Sequence, residues 1–219
     1  MRLLSVNVGG ERPIENGKAS RKSGIYKRPV DGPVWITALG LAGDTISDTE
    51  NHGGEDQAVY VYTVPDYDWW SEELGRELSP GTFGENLTIT DFESADAFIG
   101  DRLHVGEVVL EVTAPRIPCA TLAVRMKDPK FVKRFRSAER LGFYCRVIRE
   151  GEVRAGDPMT LERYTGETIS AIEMFRDFFE PGADEEKIRR HLAAPVAVRD
   201  RVEKERQLGE ILTRRSANR

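Results

Sequence analysis

The sequence lacks most of the features that assign a protein to a class at first sight. Its 219 residues include two cysteines, Cys119 and Cys145, which are too few for a disulfide framework. No apolar run approaches the ~20 residues that a transmembrane helix needs, and the first residues do not have the pattern of a secretory signal peptide. We therefore expect a protein of the reducing cytoplasm that does not associate with membranes.

Common cofactor and catalytic motifs are absent as well. The chain has no Walker phosphate loop, no dinucleotide fingerprint and no Gly-x-Ser-x-Gly nucleophile elbow. It also lacks the Cys-x-x-Cys and His-x-x-His spacings of zinc sites, so His104 and His191 are predicted to be structural. A formal net charge of -5 argues against a nucleic-acid binder, although a locally basic pocket is compatible with that total.

Short apolar runs broken by Gly, Pro and Asp fill the chain up to about residue 164. This pattern predicts a mainly β domain, built as a barrel or a sandwich, with inserted helices over 65–78 and 129–140. Hairpins are predicted at Gly106-Glu107 and at Glu150-Gly151-Glu152. The predicted strands cover residues 3–8, 34–39, 58–64, 87–90, 103–105, 108–113, 143–148 and 159–161.

Amphipathic helices follow residue 164. The apolar residues that fall on one face of the first helix are Ile169, Ile172, Phe175, Phe178 and Phe179. Further helices are predicted over 184–192 and 198–212, so we divide the chain into a domain of residues 1–164 and a small C-terminal three-helix domain of residues 165–219. The apolar face needs cover, and we expect it to pack on the β domain or on a second copy of the chain.

Cys119 is the strongest candidate for chemistry. Pro115 and Pro118 each fix a φ angle and stiffen the segment that carries it, and Arg116 is near enough to lower the pKa of the thiol. A thiolate is a soft metal ligand, whereas a lone cysteine cannot build a structural zinc site. The alternative is a buried cysteine that acts as a small apolar residue.

Three segments upstream of Cys119 are candidates for binding an anion. In Asn51-His52-Gly53-Gly54, paired glycines allow successive N–H groups to point into one concavity, and His52 can donate to an anion. Phe83-Gly84-Glu85-Asn86 has the same character. Residues 18–29 concentrate five cations, among them Lys27 and Arg28, around Ser23. The alternatives are tight turns that require glycine and a solvated basic face.

These motifs together resemble the MOSC domain family, and specifically its bacterial YiiM-type members. The matching motifs, in chain order, are Gly40-Leu41-Ala42-Gly43-Asp44, Asn51-His52-Gly53-Gly54, Phe83-Gly84-Glu85-Asn86, Ile99-Gly100-Asp101 and Pro115-Arg116-Ile117-Pro118-Cys119. The resemblance covers most of the first 164 residues, and the helical tail is similar to an appendage of YiiM-type members. It implies a MOSC-type β-barrel that binds molybdopterin, the molybdenum cofactor, with Cys119 as the protein ligand to molybdenum. Pyridoxal phosphate is not expected.

The resemblance further implies a cytoplasmic, detoxifying reductase of N-hydroxylated compounds such as 6-hydroxylaminopurine. His52 is the expected proton donor beside Cys119. No flavin, haem or iron–sulfur motif is visible, so a separate flavoprotein reductase is the expected electron donor, and a homodimer is a possible assembly. The expected cofactor-binding residues are Ser23, Lys27, Arg28, Asn51, His52, Gly53, Gly54, Phe83, Gly84, Glu85, Asn86 and Arg116.

Two other functions remain open at this point. One is a carrier module that binds the cofactor, or holds sulfur as a persulfide on Cys119, without turnover. The other is a domain that binds a small anion and keeps Cys119 in its core.

Overall fold

An eight-stranded sheet organises the structure, a computed structural model that describes residues 1–14, 22–47, 52–180 and 184–217. The strands in chain order are β1 (Leu3–Val8), β2 (Arg12–Pro13), β3 (Lys22–Ser23), β4 (Arg28–Pro29), β5 (Val34–Thr37), β6 (Gly40–Leu41), β7 (Val59–Thr63), β8 (Leu87–Ile89), β9 (Arg102–Val105), β10 (Val108–Pro115), β11 (Phe143–Arg149), β12 (Gly151–Val153) and β13 (Met159–Glu162). The large sheet has the order β13-β9-β10-β11-β7-β8-β1-β4. Its neighbours are antiparallel except β7 and β8, which are parallel.

The sheet curves so that its two sides approach each other. An isolated antiparallel bridge joins Arg2, just before β1, to Pro158, just before β13. Backbone hydrogen bonds from Leu3 N to the Asp157 carbonyl and from Met159 N to the Met1 carbonyl, at 3.0 and 3.2 Å, extend this contact. The predicted mainly β fold with inserted helices and a helical tail is therefore confirmed.

Helices cover the sheet and supply much of its aromatic core. In chain order the helices are α1 (Val64–Leu74), α2 (Ala120–Met126), α3 (Phe131–Ala138), α4 (Ala171–Phe179), α5 (Glu185–Ala193) and α6 (Val198–Ala217). Trp70 of α1 is fully buried, and its ring centroid lies 4.9 Å from that of Phe131 and 6.0 Å from that of Phe135. This aromatic cluster holds α1 and α3 together on the sheet.

The helical tail packs on its own chain. Phe175 of α4 is 1% exposed, with its ring centroid 6.4 Å from that of Phe135 in α3. Phe178, one turn further on, is 62% exposed. The expected cover for this apolar face is therefore supplied by α3 for Phe175, while Phe178 remains at the surface.

The connection between α5 and α6 is bonded to the sheet at several points. Arg146 of β11 donates to the carbonyls of Pro195 and Val196, at 3.1 and 3.0 Å. Val198 N donates to Oδ2 of Asp56 at 2.6 Å, and the Asp56 carbonyl accepts from the Thr113 hydroxyl at 2.5 Å. The start of α6 is thus bound to Asp56, which lies four residues after His52 in the sequence.

Several predicted elements differ from the structure. The hairpin at Glu150-Gly151-Glu152 is wrong: β12 leaves the large sheet and pairs with β5, where Val153 becomes buried. The predicted helices over 65–78 and 129–140 end earlier, because Gly75 and Glu139 adopt left-handed conformations with φ of 63° and 53°. Helix α2 was not expected. None of the helices in the described ranges combines the length and apolarity that crossing a bilayer requires.

The contrast between Phe175 and Phe178 provides a stability test. Replacing Phe175 by Ala should lower the free energy of unfolding by about 3–5 kcal/mol, because it leaves a cavity beneath α4. Phe178→Ala on the same helix is the matched control and should change it by less than about 0.5 kcal/mol. Urea denaturation of both variants measures the difference, and equal losses would contradict the described packing of α4.

Candidate functional site

A cavity of about 460 Å³ brings together residues from both glycine loops, the basic segment and the Cys119 segment. Its lining residues are Ile14, Lys22, Ser23, Gly24, Ile25, Lys27, Thr45, Ile46, Ser47, His52, Gln57, Tyr60, Phe83, Gly84, Asn86, Arg116, Cys119, Thr121 and Tyr144. Segments more than 90 residues apart in the chain therefore meet around one space. A cavity with convergent polar groups and a reactive side chain is the expected form of a binding site.

Cys119 lines this cavity as a half-buried residue at the N-terminus of α2. Its Sγ accepts a hydrogen bond from Nη2 of Arg116 at 3.4 Å and is also hydrogen-bonded to His52. Burial acts to raise the pKa of the thiol, but the contacts with His52 and the Arg116 guanidinium outweigh it and lower the pKa to about 5. Cys119 is therefore a thiolate at neutral pH, and the alternative of an inert core cysteine does not describe it.

Arg116 is held in place by groups on three sides. Its side chain is almost fully buried, and Nη1 donates to the Ile117 carbonyl. The guanidinium carbon lies 5.8 Å from the ring centroid of Tyr60 and 6.0 Å from that of Tyr144. Because both rings come from adjacent sheet strands, β7 and β11, the cation beside Cys119 is positioned by the sheet itself.

The 83–86 loop requires glycine at one position. Gly84 has a φ of +81°, and a Cβ there would lie 2.8 Å from Cγ1 of Ile25. A side chain at this position would therefore strain the backbone and displace the side chain of Ile25, which also lines the cavity. Phe83, Gly84 and Asn86 of this loop line the cavity.

Asn86 connects the loop to the neighbouring strand and to a buried ion pair. Its Oδ1 accepts from Tyr60 N at 3.1 Å, and its Nδ2 donates to Oδ2 of Asp44 at 2.9 Å. The same Asp44 oxygen accepts from the Lys27 ammonium group in a pair that is nearly inaccessible to solvent. Burial lowers the pKa of Lys27, whereas Asp44 acts to raise it. Lys27 thus enters the site with its charge already compensated.

Four of the predicted binding residues that the structure describes do not line the cavity. Glu85 is fully buried behind it, where Oε1 accepts from the Tyr67 hydroxyl and Gly81 N, both at 2.6 Å. Burial raises the pKa of this carboxyl. Arg28 is exposed on β4, and Gly54, with Gly53, lies just outside the lining, before the short helical turn Glu55–Gln57. Asn51 lies outside the described residues.

Other lining residues were not singled out from the sequence. Tyr60 and Tyr144 occupy buried strand positions whose alternation gives no sign of a cavity, and Thr121 belongs to the unexpected helix α2. Asp44 is the last residue of a quoted motif and Lys27 is a predicted binding residue, but the sequence did not indicate that the two form an ion pair. In the described ranges, no group of three or more His, Cys, Asp or Glu side chains is arranged to hold a metal ion. A metal here would depend on Cys119 together with ligands that a cofactor supplies.

Comparison with known proteins assigns the chain to a family. Residues 48–160 match the MOSC domain. The chain belongs to the MOSC domain family. It is 31% identical over 162 residues to protein YiiM of Escherichia coli K12, covering 72% of this chain and 70% of that protein. This confirms the family predicted from the motifs.

Two further similarities extend this result. The crystal structure of YiiM from Geobacillus stearothermophilus superimposes with a TM-score of 0.78 and 26% identity, covering 94% of this chain and 98% of that one. A Gibberella moniliformis protein named reductase is 38% identical over 165 residues, which are 73% of this chain and 29% of that protein. The fold is thus the YiiM fold, and one relative carries a reductase name.

The thiolate state of Cys119 can be measured directly. In protein from a host that does not make molybdenum cofactor, the rate of Cys119 alkylation by iodoacetamide should follow a titration with a midpoint near pH 5, below the ~8.5 of a free thiol. Arg116→Gln should raise that midpoint by about 1 to 3 pH units, since a neighbouring opposite charge is lost.

Arg134→Gln is the control for this titration, because Arg134 pairs with Glu73 and Asp128, away from the cavity. It should leave the midpoint unchanged. Cys145 is fully buried and should not react. An Arg116→Gln midpoint equal to that of the unsubstituted protein would contradict the role given to the guanidinium.

Proposed function

We propose that this MOSC protein is a molybdenum-cofactor-dependent reductase that removes oxygen from N-hydroxylated compounds, with 6-hydroxylaminopurine-like bases as the substrate class. The observation that carries the proposal is the Cys119 thiolate, which faces a cavity beside Arg116 and His52. The family and the reductase name of one relative support the same reaction type.

The residues around Cys119 fit the metal end of such a cofactor. Thiolates are preferred ligands of soft and high-valent metals, and a thiol with a pKa of about 5 is deprotonated without needing the metal to displace its proton. Arg116 adds a fixed positive charge close to the thiolate. The cavity is polar along this wall and large enough, at about 460 Å³, for a small heterocyclic ligand.

Fewer side chains are available to bind the phosphate of the cofactor than the sequence suggested. Lys22 and Ser23 line the cavity. Lys22 forms an ion pair with Glu11 at 3.0 Å, in an exposed position where the pair is easily exchanged. Lys27 is already neutralised by Asp44, and Arg28 lies elsewhere. We therefore assign phosphate contact to Lys22 and Ser23 rather than to Lys27 and Arg28.

The overall reaction is the two-electron reduction of R–NH–OH, with two protons and two electrons, to R–NH2 and water. The cofactor, when bound, supplies the oxygen-accepting redox chemistry at its metal. Arg116 keeps Cys119 deprotonated as a ligand, while the aromatic wall of Tyr60 and Tyr144 gives a planar base a surface to stack on. We assign proton delivery to the departing hydroxyl oxygen to His52, which lines the cavity and is hydrogen-bonded to Cys119.

A carrier of cofactor or of persulfide sulfur uses the same thiolate. A low-pKa, half-buried cysteine beside a guanidinium is equally suited to hold sulfur. Turnover separates the two functions, because a carrier with a full complement of molybdenum would not reduce an N-hydroxylated base with any electron donor.

The test of the proposed function measures metal content and turnover together. Protein from a cofactor-competent host should contain molybdenum and reduce 6-hydroxylaminopurine with reduced methyl viologen as the donor. Cys119→Ala should lose both properties, because the protein ligand is removed. Cys145→Ala, at the other cysteine, should retain both. Molybdenum without turnover in the unsubstituted protein would favour the carrier, and absence of molybdenum would refute both cofactor functions.

The proton-donor role of His52 predicts a different pattern. His52→Gln should lower kcat by about 10²- to 10⁴-fold, the usual contribution of a general acid, while molybdenum remains bound. His104→Gln is the control, since His104 lies on β9 and pairs with Glu162 at 2.7 Å on the surface. Steady-state kinetics with equal metal loading distinguish the variants. Unchanged kcat in His52→Gln would remove His52 from the proposed mechanism.

A further inference from the structure

A groove is lined by residues that are adjacent in sequence to residues lining the Cys119 cavity. It has a volume of about 950 Å³ and lies between β2, the segment after β3, and helix α2. Arg12 and Pro13 line the groove, whereas the next residue, Ile14, lines the cavity. Tyr26 faces the groove, and its neighbours Ile25 and Lys27 face the cavity. The groove and the cavity are therefore two sides of one thin partition.

Helix α2 connects the two spaces along its length. Cys119 caps its N-terminus and Thr121 faces the cavity, while Arg125 and Lys127 at its other end line the groove. A helix of seven residues rises only ~10 Å. A molecule seated in the groove is consequently about one short helix away from the thiolate.

The groove has an uncompensated positive rim in an acidic protein. Arg12, Arg125 and Lys127 form no ion pair with any carboxylate in the part of the chain that the structure describes. The guanidinium of Arg125 lies 5.2 Å from the ring centroid of Tyr26. The carboxylate in the lining, Asp128, is already paired with Arg134 at 3.2 Å. With a net charge of -5 for the whole chain, this rim is a local reversal of sign.

The floor of the groove is apolar and partly accessible. Ala123 and Val124 are half-buried on α2, and Pro13 and Pro129 are exposed at the two ends. An apolar centre surrounded by a charged rim that contains Arg and Tyr is the usual composition of a protein interface. A small anion would need only the rim, so the floor favours a macromolecular partner.

We propose that this groove is the docking surface for an acidic electron-donor protein that carries a flavin. The inference rests on the proposed function, which needs an external donor. A reduced flavin of the donor is oxidised as the N-hydroxylated base is reduced: FlH2 and R–NH–OH give Fl, R–NH2 and water. Acidic side chains around the flavin of the donor would pair with Arg12, Arg125 and Lys127, and the apolar floor would take the edge of the flavin-binding loops.

The test uses purified flavodoxin, an acidic protein with a single flavin, as the probe. Oxidised flavodoxin is titrated into the full-length protein by calorimetry, a measurement that requires no turnover. Charge reversal in Arg125→Glu/Lys127→Glu should weaken binding at least tenfold, and Arg12→Glu, on a different wall, should weaken it as well. Arg154→Glu/Arg214→Glu makes the same change in net charge at exposed positions outside the groove and should bind flavodoxin like the unsubstituted protein.

Turnover provides the second readout. The groove variants should lose at least tenfold in kcat/KM when reduced flavodoxin is the donor, and keep the rate obtained with dithionite, which needs no docking. The proposal is overturned if flavodoxin does not bind, or if the two groove variants and the control variant bind flavodoxin equally. It is also overturned if a mononucleotide competes with flavodoxin for the groove. If the docking pattern holds but dithionite supports no reduction, the proposed reaction fails while the docking surface stands.

Discussion

The site depends on one buried electrostatic contact, that between the guanidinium of Arg116 and the sulfur of Cys119. Burial opposes ionisation of the thiol, and the neighbouring cation and His52 reverse that effect. Among the residues that the structure describes, Arg116 has no carboxylate partner that would neutralise its charge, so other groups must hold it in place. Two tyrosine rings and the Ile117 carbonyl provide that support at little electrostatic cost to the thiolate.

The rest of the fold can be understood as the support for this contact. Strand β10 ends at Pro115, so Arg116 and Cys119 leave the sheet beside the tyrosines of β7 and β11. Asn86, Asp44 and Lys27 form a buried network that ties the 83–86 loop to the segment after β3. These interactions use polar groups for positioning and leave Lys22 and the half-buried thiolate to face the cavity.

The sequence was informative at positions where the residue type is suited to few structural or functional roles. The ordered motifs that end in Cys119 identified the family, and the alternation of apolar residues located most strands of the large sheet. It was less successful where long-range partners decide the outcome. Nothing local shows that β12 pairs with β5, that Asp44 neutralises Lys27, or that Glu85 turns away from the cavity to bind Tyr67. In the sequence, Tyr60 and Tyr144 cannot be distinguished from other strand residues. Their contacts with Arg116 arise only from the pairing of β7 with β11.

The anchoring of the α5–α6 connection has a consequence for how this protein tolerates truncation. Asp56 lies four residues after His52, and its carboxylate is bound both by Val198 N and by Arg146. A chain cut at residue 164 would remove the Val198 N–H from this carboxylate and the Pro195 and Val196 carbonyls from Arg146, and it would uncover Phe135 beneath α4. The helical tail therefore supports the loop that carries His52 beside Cys119. Fusion partners are better attached after α6 than inserted before α6.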